Sequence, residues 1–145
     1  MLHAMADRKL QALGKVPLFA RATPAELRFV AREGDEIDVP AGRQLIQQGR
    51  PSDTFYVQLD GESEVKIDGK ARRVMKPGDF FGEIGMIDRG PGTATVTTLT
   101  PSRFFVMSHA QFRDAIKGND SLMVKVLRVM GERLRDDLVV SREKR

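Results

Sequence analysis

The chain has 145 residues, of which 41% are hydrophobic and 30% charged, and its formal net charge is +4. This is the balance of one soluble domain, long enough to bury most of its apolar surface without staples. The absence of cysteine excludes disulfides, thiolate catalysis and cysteine metal sites.

Residues 1 to about 33 read as a helical lead-in. The N-terminus MLHAMADRKL lacks the continuous apolar segment of a secretion signal. No run in the chain approaches the ~20 apolar residues of a membrane span. A cytoplasmic location without a membrane partner is therefore expected. Leu10, Leu13 and Val16 recur at helical spacing before Pro17-Leu18-Phe19 interrupts them. A second helix starts sharply, with Thr23 as N-cap, Pro24 at the first helical position and Glu26 completing a capping box. Phe19 and Leu27 bracket that cap as a hydrophobic staple would. Leu27, Val30 and Ala31 supply an inner face, and Gly34 ends the segment.

Residues 34–108 differ in kind. Ten of the 13 glycines and four of the seven prolines fall between Gly34 and Gly92. Between these punctuators lie short apolar runs at Ile37 and Val39, Leu45 and Ile46, Phe55 to Leu59, Val65 to Ile67, Val74 and Met75, Thr93 to Leu99, and Phe104 to Met107. Many short strands with regular turn signals mean a sandwich, jelly roll or small barrel. Asp68-Gly69 is the best hairpin candidate. Tyr56, the single tyrosine, is expected to pack in a strand, and Phe104 and Phe105 to serve opposite faces.

Residues 109–145 return to helical periodicity. Phe112, Ala115 and Ile116 form a short set closed by Gly118 and Asn119. Asp120 or Ser121 then caps a helix of about 20 residues. Met123, Leu127, Met130, Leu134 and Leu138 form one apolar stripe, widened by Val126 and Val129. The stripe either covers the β domain or forms a homodimer seam. Arg142, Lys144 and Arg145 make a basic tail that a solvated helix end explains as well as nucleic acid does.

The segment Phe80 to Val96 carries the chemistry. Phe80 and Phe81 anchor it, and Gly82 to Gly85 form a short helical or nest-like turn. Gly82 allows a ligand close to the backbone. The amides of Gly82, Glu83, Ile84 and Gly85 converge on a spot that attracts an anion. Glu83 would repel a phosphate there and is better suited to accept from a sugar hydroxyl. Ile84, Met86 and Ile87 are expected to face away and pack. Thr93 opens a strand with its hydroxyl at the mouth of the cradle.

The spacing and order of these pieces resemble the cyclic nucleotide-binding domain family, over about residues 10 to 140. The resemblance rests on Val16-Pro17-Leu18-Phe19, Thr23 to Leu27, Val39-Pro40-Ala41-Gly42, Ile46-Gln47-Gln48-Gly49, Phe55-Tyr56-Val57, Asp60-Gly61, Pro77 to Glu83, and Thr93 to Val96. It implies a mainly β domain of residues 1–145: an eight-stranded, jelly-roll-like β-roll with N-terminal helices and a long C-terminal helix. It implies a cyclic AMP or cyclic GMP ligand; no enzyme activity, cofactor or metal is expected, because the residues form no nucleophile or metal-ligand signature. Phe81, Gly82, Glu83, Ile84, Gly85, Arg89, Gly92, Thr93 and Ala94 would line the ligand. Gly82 and the following amides, with Thr93 and Ala94, would meet the cyclic phosphate, and Glu83 the ribose hydroxyl.

One departure cuts against that ligand. The family cassette reads Pro-Arg-Ser/Thr-Ala, whereas this chain reads Pro91-Gly92-Thr93-Ala94. Loss of a buried charge partner typically costs about 2–5 kcal/mol, or roughly 30-fold to several-thousand-fold in affinity. Arg89, three residues away, is a poor substitute because its loop would have to order. Two functions stay open: a cyclic nucleotide sensor of weak or altered affinity, and a degenerate member acting as a ligand-independent dimerisation or protein-interaction module. Family regulators carry a helix-turn-helix beyond the long helix, and the sequence ends at Arg145, so DNA reading by this chain alone is not expected. His109, at a helix start, reads as a capping or surface residue. The serines lack a nucleophile context.

Overall fold

The computed structural model describes the backbone of residues 2–143 and the side-chain surroundings of residues 8–138. Helix α1 (Leu2–Lys15) leads through a 3₁₀ turn at Pro17–Phe19 into α2 (Pro24–Glu33). Strands β1 (Asp35–Val39), β2 (Gln44–Ile46), β3 (Thr54–Asp60), β4 (Ser63–Ile67), β5 (Lys70–Met75) and β6 (Phe80–Phe81) follow. A short helix α3 (Glu83–Asp88) precedes β7 (Thr95–Thr98) and β8 (Ser102–Ser108). Helices α4 (His109–Lys117) and α5 (Asp120–Glu143) complete the order.

The eight strands divide between two open four-stranded antiparallel sheets, β1-β8-β3-β6 and β2-β7-β4-β5. The β4–β5 hairpin turns through Asp68 and Gly69, with φ of 53° and 78°. Positive φ at both central residues gives the turn the twist its strands need.

The first sheet is apolar on both faces, and this sets the layering. On β8, successive side chains point to opposite sides. Phe105 joins the helical core with Leu13, Phe19, Phe55 and Leu122, while Phe104 joins the inter-sheet core with Ile46, Val65, Phe81 and Val96. Both rings are fully buried. Tyr56 packs as expected, stacked on Phe81 at 5.0 Å between ring centroids and edge-on to Phe104. The order of layers is therefore helices, first sheet, second sheet.

The capping box at α2 forms, with Thr23 Oγ1 accepting from Glu26 N–H and Glu26 Oε1 accepting from Thr23 N–H. At α5, by contrast, the cap is Asn119, whose Oδ1 accepts from Leu122 N–H, not Asp120 or Ser121. Helix α5 also presents its faces differently from expectation. Leu122, Val126 and Val129 are buried against the molecule, whereas Leu127, Met130, Leu134 and Leu138 are exposed. The inward face is set by position 122, one residue before the stripe counted from Met123, so the longer stripe turns away from the core.

Two ion pairs hold α5 in place. Arg21 meets Glu132 at 2.6 Å in the open, and Lys125 Nζ donates to Glu26 Oε1 at 2.6 Å. Glu26 is buried and its Oε2 has no partner. The Lys125 ammonium first, and the Thr23 amide second, hold its carboxyl down from 4.5 to about 2. A lowered folded-state value means that the contribution is complete above pH 4.5 and is lost as pH falls from there towards about 2. Denaturant unfolding at pH 7 and pH 3 is predicted to show a larger loss of stability for the parent chain than for Glu26→Gln. Equal losses would show that this carboxylate does not link α2 to α5.

Candidate functional site

The chain from β6 to β7 is a helical insert clamped onto the segment that joins β2 to β3. Gly82 enters α3 with φ of 83°, in the left-handed region, and Arg89 leaves it with φ of 57°. Met86 N–H bonds to the Gly82 carbonyl, so the amides of Glu83, Ile84 and Gly85 have no acceptor within α3. His109 Nδ1 lies 2.9 Å from the Met86 carbonyl and ties α4 to α3.

Close backbone approach explains the glycines. A Cβ on Gly82 would overlap the Thr54 carbonyl oxygen. One on Gly85 would stand 2.6 Å from the Ser52 carbonyl oxygen. One on Gly92 would stand 2.7 Å from Ile46 Cγ2 and 2.9 Å from the Gln47 carbonyl oxygen. The following loop is stitched to the same segment: Gly49 N–H donates to Gly92 O, Gly92 N–H to Arg50 O, and Ser52 N–H to Gly90 O, at 2.8–3.0 Å. Gly82 thus admits the protein's own backbone at Thr54 as well as lining the cavity described next.

Between α3, the Gly90–Ala94 loop and the apolar face of the second sheet lies a cavity of about 530 Å³, within the usual range for a small-molecule site. Val65, Ile67, Met75, Phe81 and Val96 form its apolar floor. Of the residues singled out by sequence, Phe81, Gly82, Glu83, Ile84, Gly85, Gly92, Thr93 and Ala94 all line it. Arg89 does not; it is exposed at the far end of α3. Ile84 is corrected: it is 50% exposed and lines the cavity, while Met86 is fully buried beneath α3 and Ile87 packs beside it. Thr93 and Ala94 sit in a bend ahead of β7, which begins at Thr95.

The charge of the lining is one-sided. Glu83 and Asp88 are its carboxylates, and among the described lining residues there is no lysine or arginine. Asp88 Oδ1 accepts from Gly90 N–H at 2.8 Å, while Glu83 makes no hydrogen bond or ion pair among the described residues. Ile46, Ser52, Val65, Ile67 and Met75 line the cavity without having been singled out as site residues. The Val65/Ile67 alternation carried the signal for one wall, but Ser52 and Met75 arrive only by tertiary packing. Among the described residues no group of three or more His, Cys, Asp or Glu is placed to hold a metal ion, and no helix is long and apolar enough to cross a membrane.

Comparison with known proteins bears on the same elements. The family model described as Cyclic nucleotide-binding domain matches residues 36–119. A CRP-like cAMP-activated global transcriptional regulator of Mycobacterium tuberculosis is 30% identical over 132 residues, which are 86% of this chain and 58% of the regulator. A cAMP-dependent protein kinase regulatory subunit of Emericella nidulans is 32% identical over 113 residues, 77% of this chain and 27% of the subunit. The chain therefore spans 58% of the length of the first relative and 27% of the second, less than two thirds of either. The crystal structure of the N-terminal domain of a transcriptional regulator from Streptomyces coelicolor A3(2) superposes with a TM-score of 0.77 at 27% identity, covering 87% of this chain and 94% of that one. These relatives are named as regulators or as a regulatory subunit.

Crowding at Gly92 makes a prediction. Gly92→Ala is expected to lower stability by about 1–3 kcal/mol, because Ile46 and the Gln47 carbonyl must give way. Gly131→Ala, in open space on α5, is expected to raise it by about 0.5–1 kcal/mol. Denaturant midpoints check both. A neutral Gly92→Ala would mean that the loop is not clamped as described.

Proposed function

The chain belongs to the cyclic nucleotide-binding domain family, and from that premise we propose that it is a non-enzymatic ligand-sensing module. In this reading the two open sheets are the halves of an eight-stranded, jelly-roll-like β-roll of residues 34–108, set within a single domain of residues 1–145. Cyclic AMP and cyclic GMP bind in the cavity weakly, and the location is cytoplasmic.

What carries the reading is the cavity itself, about 530 Å³ and bounded by Phe81 to Gly85 on one side and Gly92 to Ala94 on the other. Its shape suits a small molecule, with Glu83 free to accept from a hydroxyl and with the first-turn amides of α3 on its rim. Its weakness as a cyclic phosphate site follows from Gly92, which stands where the family cation belongs. The crowded backbone there accounts for the glycine, since any Cβ would press on Ile46 and Gln47. Arg89, exposed and off the lining, does not replace the cation. Its relatives are named as regulators and regulatory subunits, which supports a role as the sensing part of a regulator; DNA reading is not assigned to these residues.

A second reading has its own observation. Leu127, Met130, Leu134 and Leu138 are 37–62% exposed along one side of α5. Their spacing of three, four and four makes a continuous apolar edge. We assign this edge to homodimer formation, which would persist without ligand if the cavity had lost its role.

Calorimetric titration with cyclic AMP and cyclic GMP is expected to give binding weaker than micromolar; a submicromolar constant would overturn the weight placed on Gly92. Sedimentation is expected to find a dimer that Leu127→Glu converts to a folded monomer. A monomeric parent chain would dismiss the α5 interface.

A further inference from the structure

The cavity has a charge that no cyclic phosphate would favour, and its ligand class can be argued from that charge. We propose that the cavity selects a compact, largely apolar ligand that is neutral or cationic, offers an amine or hydroxyl donor to Glu83, and bears no anionic group. This rests on the reading of the domain as a ligand sensor.

Three observations combine. The first is the floor: Val65, Ile67, Met75, Phe81 and Val96 present aliphatic, thioether and aromatic surface to whatever enters, and apolar burial there supplies affinity without direction. The second is the rim. Glu83 has no partner among the described residues, and Asp88 has one oxygen engaged by Gly90 N–H, so the lining carries two carboxylates. A carboxylate accepts and does not donate. A ligand hydroxyl or amine satisfies Glu83, whereas a phosphate or carboxylate on the ligand is repelled.

The third is the position of the nearby cations. Arg50 lines a separate shallow cleft with Asp53 and Tyr56. Lys66 pairs with Glu64 at 3.4 Å, and it alternates with Val65 and Ile67, which face the cavity. Arg73 stands across from Val65 on the cavity face of the second sheet, but it is not among the lining residues and is engaged by Asp79 at 3.4 Å, and Arg89 is exposed beyond the lining. The first-turn amides of α3 supply only partial positive charge, on a helix of six residues. Against two full negative charges at the same rim they leave the cavity unfavourable to anions. Glu83 is half-buried, so its repulsion is screened less by water and salt than on an open surface, whereas Asp88 is exposed and contributes less.

The test uses probe pairs matched in shape and opposed in charge. Adenosine and cyclic AMP share base and ribose but differ by the cyclic phosphate. Proflavine and 1-anilinonaphthalene-8-sulfonate are aromatic fluorophores of opposite sign. Titrated against the full chain, adenosine and proflavine are expected to bind roughly tenfold or more tightly than their anionic counterparts. In the isosteric double variant Glu83→Gln/Asp88→Asn, checked for folding by circular dichroism, the gap is expected to close. The side-chain amide that replaces the Asp88 carboxylate retains an oxygen for Gly90 N–H, so the loop keeps its turn. Equal or tighter binding of the anionic members, with cyclic AMP still weak, overturns the inference and leaves the weak-sensor reading standing. A preference that survives unchanged in the double variant also overturns it, because the carboxylates are then not its source. Submicromolar cyclic AMP binding, or no binding of any probe, overturns both readings.

Discussion

Everything at the site depends on how closely two stretches of backbone approach. Gly82, Gly85 and Gly92 press against the carbonyls of Thr54, Ser52 and Gln47, at separations where no side chain fits. That contact turns a flexible Gly-rich connection into a fixed wall. It sets the pitch of α3, holds the Gly90–Ala94 loop against the β2–β3 connection, and leaves a cavity between that loop and the second sheet. Glycine conformational freedom matters at Gly82, whose φ of 83° starts α3. Elsewhere in the wall it is the missing Cβ that counts.

The same constraint governs the electrostatics. An arginine at position 92 would need room for a Cβ that Ile46 and Gln47 occupy. The loop at Gly92 is thus a tight clamp, and the lining holds carboxylates with no lysine or arginine among its described residues. Fold and ligand chemistry are consequently separable here. The cavity survives because its walls are backbone and apolar side chains, while its sign is decided by two residues at the rim, Glu83 and Asp88.

The long C-terminal helix divides its surface between two tasks. Leu122 and Val126 join the helical core, and Val129 is buried on the same helix. Lys125 reaches the buried Glu26 and makes the seat specific, since a misplaced α5 would leave that carboxylate unpaired. The remaining apolar edge lies on another side of the same helix. Helix α3 is tied to the helical layer, because His109 bonds the Met86 carbonyl and α4 leads directly into α5.

Much of this was legible in the chain. The capping box at Thr23 and Glu26, the Asp68-Gly69 hairpin and the opposed Phe104 and Phe105 follow from local rules of period, cap and turn, which act over a few residues, whereas the lining set from Phe81 to Gly85 came from the family resemblance. What stayed hidden depends on neighbours distant in sequence. Periodicity alone marked Met123 to Leu138 as one stripe, but which side of α5 is inward is decided by the helices it meets. Ile84 was expected to pack and instead faces the cavity, because α3 is too short for a pattern to fix its rotation. The family resemblance singled out Gly92. Only the folded chain, by bringing Ile46 and Gln47 within 3 Å of where its Cβ would stand, shows how little room a side chain has there: side-chain room is a property of tertiary packing, not of sequence order.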